Sequence, residues 1–328
     1  MTFTVAMYDK SYAHIAPKLA ALGLDIKIAT FGKDSLYDFD GRKVPPSEAE
    51  IDYMWLTSHL NADGFRDPAF ELCLASRSIK VLQTFNAGLD HPFYKKLVAK
   101  GTRVCNSSAQ GIAIAEYTLA QVLAVLHPIE LQRDLQKRRE WRGTPFREIS
   151  QTRWLIIGFG PIGQAIAKRV KAFEAGVDVI RRSAMPSPDV DRMGTAADLP
   201  AFLHEADVVV LACPLTEETR GMAGQAFFAG LKQGAILVNI ARGGLVDDGA
   251  LLTALDNGRL SSAILDVFHE EPLPASNPLW GHPGVRLTSH TSFAGSGGRA
   301  RWDALFLDNI TRFAKGEPLA LEVDPNQI

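Results

Sequence analysis

The apolar run Trp154–Ile157 leads directly into Gly158-Phe159-Gly160-Pro161-Ile162-Gly163 and then into a segment of helical periodicity, Ile162–Phe173. A buried strand, a turn with glycines at its first, third and sixth positions, and a helix together open a dinucleotide-binding βαβ unit. Each glycine has its own task. Gly158 permits the tight turn, Gly160 lets the backbone approach a pyrophosphate, and Gly163 lets the helix pack closely on the strand. The helix that follows offers free N–H groups and a partial positive charge to the anion, and Pro161 and Ile162 are expected beside the cofactor with the glycines. The same glycine pattern also occurs in purely structural turns, so what surrounds it decides the reading.

Five further apolar runs follow: Val177–Ile180, Val208–Ala212, Ala235–Ile240, Ser262–Val267 and Val285–Thr288. They are rich in Val, Ile and Leu and lack polar alternation, as strands buried on both faces do. Helical patterns at Leu199–Glu205, Ala226–Leu231 and Asp248–Asn257 lie between them, so a right-handed parallel α/β sheet is expected. A weaker series precedes it. Thr4–Met7, Asp25–Ile28, Tyr53–Leu56 and Val81–Thr84 read as strands, with helices at Ala13–Leu22 and Pro68–Leu74. Ile112–Leu126 reads as a long helix stopped by Pro128, and Arg299–Phe313 as a final one.

Composition narrows the class. A chain of 328 residues suggests two domains, and 35 Lys+Arg against 37 Asp+Glu argue against a dedicated nucleic-acid binder. The basic stretch Glu130–Arg147, with Arg133, Lys137, Arg138, Arg139, Arg142 and Arg147, reads as a solvated helix and loop. Apolar runs such as Val208–Cys213 fall far short of the ~18 residues of a membrane helix, and Met1–Lys10 has no signal-peptide pattern. Cys73, Cys105 and Cys213 are widely spaced, without metal-ligand spacing, and suit free thiols in a reducing compartment. A cytoplasmic enzyme or binding protein is the expectation.

Two features beyond strand ends carry chemistry. The second strand of the glycine-loop unit ends Ile180-Arg181-Arg182-Ser183, with no acid to accept bonds from ribose hydroxyls. Two guanidiniums and a hydroxyl suit a ribose 2′-phosphate, so NADP(H) is expected over NAD(H). Arg242, Glu271 and His290 each follow a different strand, on the side where open parallel sheets bind ligands. An arginine can orient a keto acid's carboxylate and polarise its carbonyl, and a histidine can supply the proton. A carboxylate beside the ring fixes its tautomer. Singly, each residue has an ordinary structural explanation; together they predict a site for hydride transfer.

The chain resembles the D-isomer-specific 2-hydroxyacid dehydrogenases over nearly its whole length. The matching motifs are Phe85-Asn86-Ala87-Gly88-Leu89-Asp90, Gly158–Gly163, Pro214-Leu215-Thr216-Glu217-Glu218-Thr219, Val238–Leu245, Leu265–Pro272 and Ser289-His290. The resemblance implies two parallel-sheet α/β domains, with a Rossmann domain (104–291) inserted in a smaller flavodoxin-like substrate domain (1–103 and 292–328). It implies Arg242 as the substrate-orienting residue, Glu271 as the histidine's partner and His290 as acid/base. It further implies that Ala87 and Gly88 N–H groups hold the substrate carboxylate, and that Asp266 meets the nicotinamide carboxamide. Cys213, Pro214, Ile240 and Ala241 join Arg242 and His290 along the cofactor. The Glu130–Arg147 stretch resembles a homodimer arm, and Trp55 and Trp141 are candidates for either the pocket or plain packing.

Two departures leave the substrate open. Asn86 stands where the family often has a small residue, and Thr291-Ser292-Phe293 follows His290 where Ile-Ala-Gly is more usual. The expected activity is reduction of a small 2-keto acid of the glyoxylate or hydroxypyruvate type to a D-2-hydroxy acid. Formate dehydrogenase chemistry is disfavoured, since that branch pairs its histidine with glutamine. A dinucleotide-sensing corepressor is the alternative from a different class.

Overall fold

The computed structural model describes residues 2–183 and 186–328. Contacts divide the chain into two units, Met1–Ala109 with Ser296–Ile328, and Gln110–Gly295.

The first unit is built on β1 (Phe3–Tyr8), β2 (Ile26–Phe31), β3 (Tyr37–Phe39), β4 (Arg42–Val44), β5 (Glu50–Trp55), β6 (Ser78–Gln83) and β7 (Arg103–Cys105). The sheet order is β4-β3-β2-β1-β5-β6-β7, with β3 and β4 forming an antiparallel edge. The five parallel strands alone run second, first, third, fourth, fifth, which is the flavodoxin-like order. Alternate residues take opposite faces. Val5, Met7, Tyr53, Trp55 and Val81 pack with Phe306 and Ile310 of the helix Gly298–Lys315. Ala6, Tyr8, Met54, Leu56 and Leu82 pack with Phe65, Phe70 and Phe93 on the other side. Trp55 stacks flat on Phe306, with centroids 4.1 Å apart, so it is core.

The second unit carries β8 (Arg153–Ile157), β9 (Gly176–Ile180), β10 (Arg192–Gly194), β11 (Val208–Leu211), β12 (Ala235–Asn239), β13 (Leu260–Leu265) and β14 (Val285–Leu287). All pair in parallel in the order β10-β9-β8-β11-β12-β13-β14, the doubly wound dinucleotide order with a seventh strand added. Leu155, Ile157, Val209, Leu211, Leu237 and Leu265 fill one face. Trp154, Ile156, Val208, Val210, Val238 and Ile264 fill the other, beneath Ile114, Leu119 and Val122 of the helix Gly111–Leu126.

The strands that apolar periodicity does not mark are short. β3, β4, β7 and β10 have three residues each and lie at or near sheet edges, where polar residues such as Arg42, Lys43 and Arg192 hide the apolar signal. Because β7 pairs with β6, the chain leaves the first unit only after Ala109, and it returns after Gly295. Both points lie a few residues later than sequence placed them.

Candidate functional site

The three loops that carry Arg242, Glu271 and His290 leave β12, β13 and β14, which are neighbours in the sheet. Asn239 ends β12 and is buried. Its Oδ1 accepts the Ala241 N–H at 3.1 Å and its Nδ2 donates to the Arg242 carbonyl at 2.9 Å, closing the turn that presents Arg242. Arg242 Nη1 donates to the Ala241 carbonyl at 2.7 Å. The next residue must be glycine: a Cβ on Gly243 would fall 2.0–2.4 Å from backbone atoms of Phe268 and His269. The Arg242 loop therefore lies directly against the loop that leads to Glu271.

Glu271 is fixed at both oxygens. Oε1 accepts the Phe268 N–H at 3.0 Å, and Oε2 lies 2.7 Å from His290 Nδ1. A carboxylate only accepts, so the shared hydrogen sits on Nδ1 and Nε2 is left for other chemistry. Both side chains remain open to solvent, at 42% for His290 and 37% for Glu271. Asp266, by contrast, is wholly buried. Its carboxylate accepts from Thr288 Oγ1 and from the backbone N–H groups of Thr291 and Ser292.

The glycine loop follows β8. Gly158 has φ 101°, and a Cβ there would lie 2.6 Å from the backbone of Ala212 and Cys213. One on Gly163 would lie 2.3 Å from the Gly158 carbonyl. Gly160 differs, because a Cβ there would meet nothing within 4 Å. Packing thus requires Gly158 and Gly163, while Gly160 faces open space. Gly160 caps the helix Pro161–Ala172 without any side-chain bond, and no acid stands in its first turn. An uncapped helix N-terminus beside an open glycine fits a phosphate group.

The other expected cofactor positions follow the same edge. Cys213 leaves β11 against Gly158 with Pro214 next in the chain, and burial pushes the Cys213 thiol up to about 11. The Ile240 side chain is in the core, and Ala241 is half-buried. Beyond β9, Arg181 is half-buried while Arg182 and Ser183 are exposed. Neither guanidinium forms an ion pair among the described residues. The ends of β9 and β14 are five strand spacings apart, about 24 Å at ~4.8 Å each, with the glycine loop between them. That span suits an extended two-nucleotide ligand.

Ala87 and Gly88 belong to the first unit, in the loop after β6. The Ala87 carbonyl accepts from Asn106 Nδ2 at 2.9 Å, and Asn86 Nδ2 donates to Tyr94 Oη at 2.7 Å. The N–H groups of Ala87 and Gly88 have no partner among the described residues. The basic stretch forms a helix, Ile129–Arg138, and an irregular segment after it. Trp141 stands fully exposed there, with Phe146, Ile129 and Leu131 also exposed. No group of three or more metal-ligating side chains occurs among the described residues. None of their helices is by itself long and apolar enough to cross a membrane. No sequence signal marks Asn239, whose amide lies three residues before Arg242 in an otherwise apolar run.

Residues 119–292 match the family described as "D-isomer specific 2-hydroxyacid dehydrogenase, NAD binding domain". The chain is 32% identical over 259 residues to glyoxylate/hydroxypyruvate reductase A of Escherichia fergusonii, covering 76% of this chain and 82% of that one. It is also 32% identical over 246 residues to D-3-phosphoglycerate dehydrogenase of Bacillus subtilis, covering 74% of this chain but only 46% of that relative. Among solved structures, it is similar to NADPH-dependent glyoxylate/hydroxypyruvate reductase of Sinorhizobium meliloti in complex with NADP and sulfate. That match has a TM-score of 0.77 at 26% identity and covers 99% of both chains.

Proposed function

The chain belongs to the D-isomer-specific 2-hydroxyacid dehydrogenases, and we propose that it is an NADPH-preferring reductase of small 2-keto acids. The observation that carries this reading is the His290–Glu271 pair, 2.7 Å apart on the sheet edge beside the Arg242 loop. A bound nicotinamide would supply the hydride to the carbonyl carbon. The chain's own residues would do the rest. Arg242 binds the carboxylate and polarises the carbonyl, and the N–H groups of Ala87 and Gly88 offer the carboxylate two further donors. His290 Nε2 delivers the proton to the carbonyl oxygen as hydride reaches the carbon, so the ketone becomes a hydroxyl. Glu271 holds Nδ1–H and stabilises the charged ring. The buried Asp266 borders the nicotinamide end.

Gly158, Gly160, Pro161, Ile162 and Gly163 form the phosphate turn, Cys213, Pro214, Ile240 and Ala241 continue the edge, and Arg181, Arg182 and Ser183 receive the 2′-phosphate. The S. meliloti relative is named as NADPH-dependent. The exposed Trp141 and Phe146 suit an arm that pairs with a second copy of the chain. Unpaired cysteines fit a cytoplasmic setting.

A screen of NADPH oxidation with glyoxylate, hydroxypyruvate, pyruvate, phenylpyruvate and longer branched keto acids tests the reading. Turnover of at least one, with NADPH used better than NADH, is expected. No turnover of any would overturn it and leave the corepressor-type alternative.

A further inference from the structure

We propose that Tyr117 and Thr288 are positioning residues for His290, acting through the buried Asp266. The inference rests on the reading of His290 as proton donor. His290 has φ 54°, in the left-handed region that side chains other than glycine adopt only when their surroundings hold them there. Asp266 provides the hold. It accepts from Thr288 Oγ1 at 2.5 Å, two residues before His290, and from the N–H groups of Thr291 at 2.8 Å and Ser292 at 3.0 Å just after it. One carboxylate thus grips the chain on both sides of the histidine.

The grip is anchored from outside the turn. Tyr117 Oη lies 2.8 Å from Thr288 Oγ1. Thr288 has one hydroxyl hydrogen, and an ionised carboxylate can only accept it, so Tyr117 must be the donor to Thr288. The hydrogens therefore run one way, Tyr117 to Thr288 to Asp266. Burial raises the Tyr117 pKa, which keeps it a donor across the working range. Tyr117 stands on the helix Gly111–Leu126, whose residues Ile114, Leu119 and Val122 are embedded in the core. The histidine turn is in this way tied to a core-embedded helix by two hydroxyls. Arg242 receives a comparable grip from Asn239.

The test uses Thr288→Val, Tyr117→Phe and, as the conservative variant, Thr288→Ser. Two readouts are taken: hydrogen exchange at the Thr291 and Ser292 amides, and steady-state kinetics with the best keto acid. Thr288→Val should speed exchange at both amides and lower kcat about tenfold, part of the ~10²–10⁴-fold that general acid catalysis supplies. KM for keto acid and NADPH should change less than about twofold, because the hold acts on the proton donor rather than on binding. Tyr117→Phe should move both readouts the same way by a smaller factor. Adding it to Thr288→Val should have little further effect, since both act along one chain. Thr288→Ser should restore exchange and kcat.

Wild-type exchange and kcat in both Thr288→Val and Tyr117→Phe would overturn the proposal. So would failure of Thr288→Ser to restore them, or faster exchange throughout the second unit, which would make the role one of general stability. If the wild-type protein reduced no 2-keto acid, the functional reading would fail. The exchange comparison would still decide whether these hydroxyls hold the turn.

Discussion

His290 Nδ1 lies 2.7 Å from Glu271 Oε2, although 19 positions and the strand Val285–Leu287 separate the two residues along the chain. The contact commits one imidazole nitrogen to the carboxylate and leaves the other for substrate. It also gives the first test. His290→Ala should lower kcat by ~10²–10⁴-fold, the range for a lost general acid, with NADPH binding nearly intact. A variant that keeps more than about half of wild-type kcat, with chemistry rate-limiting, would remove His290 from this role.

Glu271→Gln should also act on kcat. A hydrogen bond to a charged group is worth about 1.5–3 kcal/mol, or roughly 10–150-fold. The substitution keeps size and shape but loses the charge that complements the protonated ring. Steady-state kinetics should show kcat falling within that range while the NADPH Kd holds. An unchanged kcat would mean that the 2.7 Å contact does not serve the reaction.

Cofactor choice is tested at Arg182. Arg182→Ala should weaken NADPH by roughly 10–150-fold, the same charge-assisted range, and barely affect NADH, which has no 2′-phosphate. Fluorescence titration of both cofactors measures this. Equal losses would assign the arginine to the adenosine or the fold instead.

The cysteines should be slow to react. Burial pushes Cys213 up to about 11 and Cys105 up to about 12, and it carries the fully buried Cys73 higher still. Since the thiolate is the nucleophile, on the order of one Cys213 in a thousand is reactive at pH 8. Mass spectrometry after alkylation should find little labelling of the folded protein there. Cys213 should label first as pH is raised. Rapid modification at pH 8 would contradict its burial.

Asp207 supplies a pH-dependent part of the stability. Burial alone would raise its pKa, but Lys232 Nζ at 2.7 Å, Arg147 Nη2 at 2.9 Å and the Arg153 N–H at 2.9 Å outweigh burial and lower it. A carboxyl whose folded pKa is lowered stabilises the fold above its unfolded value, ~3.9, and loses that contribution as pH falls through the folded value. Asp207→Asn should therefore cost about 2 kcal/mol at pH 7. The Tm difference from wild type should narrow as pH approaches 3. A gap that stays constant down to pH 3 would mean that the charge is not the source.

The sequence was most legible where structure is local. The strand expected at Trp154–Ile157 spans Arg153–Ile157, and the helix expected from Ile162 begins at Pro161. The helix expected at Leu199–Glu205 has those bounds. Apolar periodicity and glycine spacing carry this information within a few residues of where it is used. The helix Pro92–Ala99 lacks the usual start signal, because a histidine cap, with His91 Nδ1 accepting the Phe93 N–H, replaces Ser, Thr, Asp or Asn. The placement of Trp55 was also beyond sequence, since its partner Phe306 arrives from the far end of the chain.

What the sequence by itself determined is therefore the set of local commitments. These are two series of alternating strands and helices, a turn in which Gly158 and Gly163 tolerate no Cβ, and polar residues waiting beyond strand ends. What only the tertiary structure decided is which of those residues meet. Strand order, set by burying apolar faces against helices, brings β12, β13 and β14 side by side. It thereby seats the Arg242 loop against Phe268, gives Glu271 to His290, and surrounds the buried Asp266 with donors from residues 288–292. A hydrogen bond depends on separation in space, and separation along the chain carries no record of it.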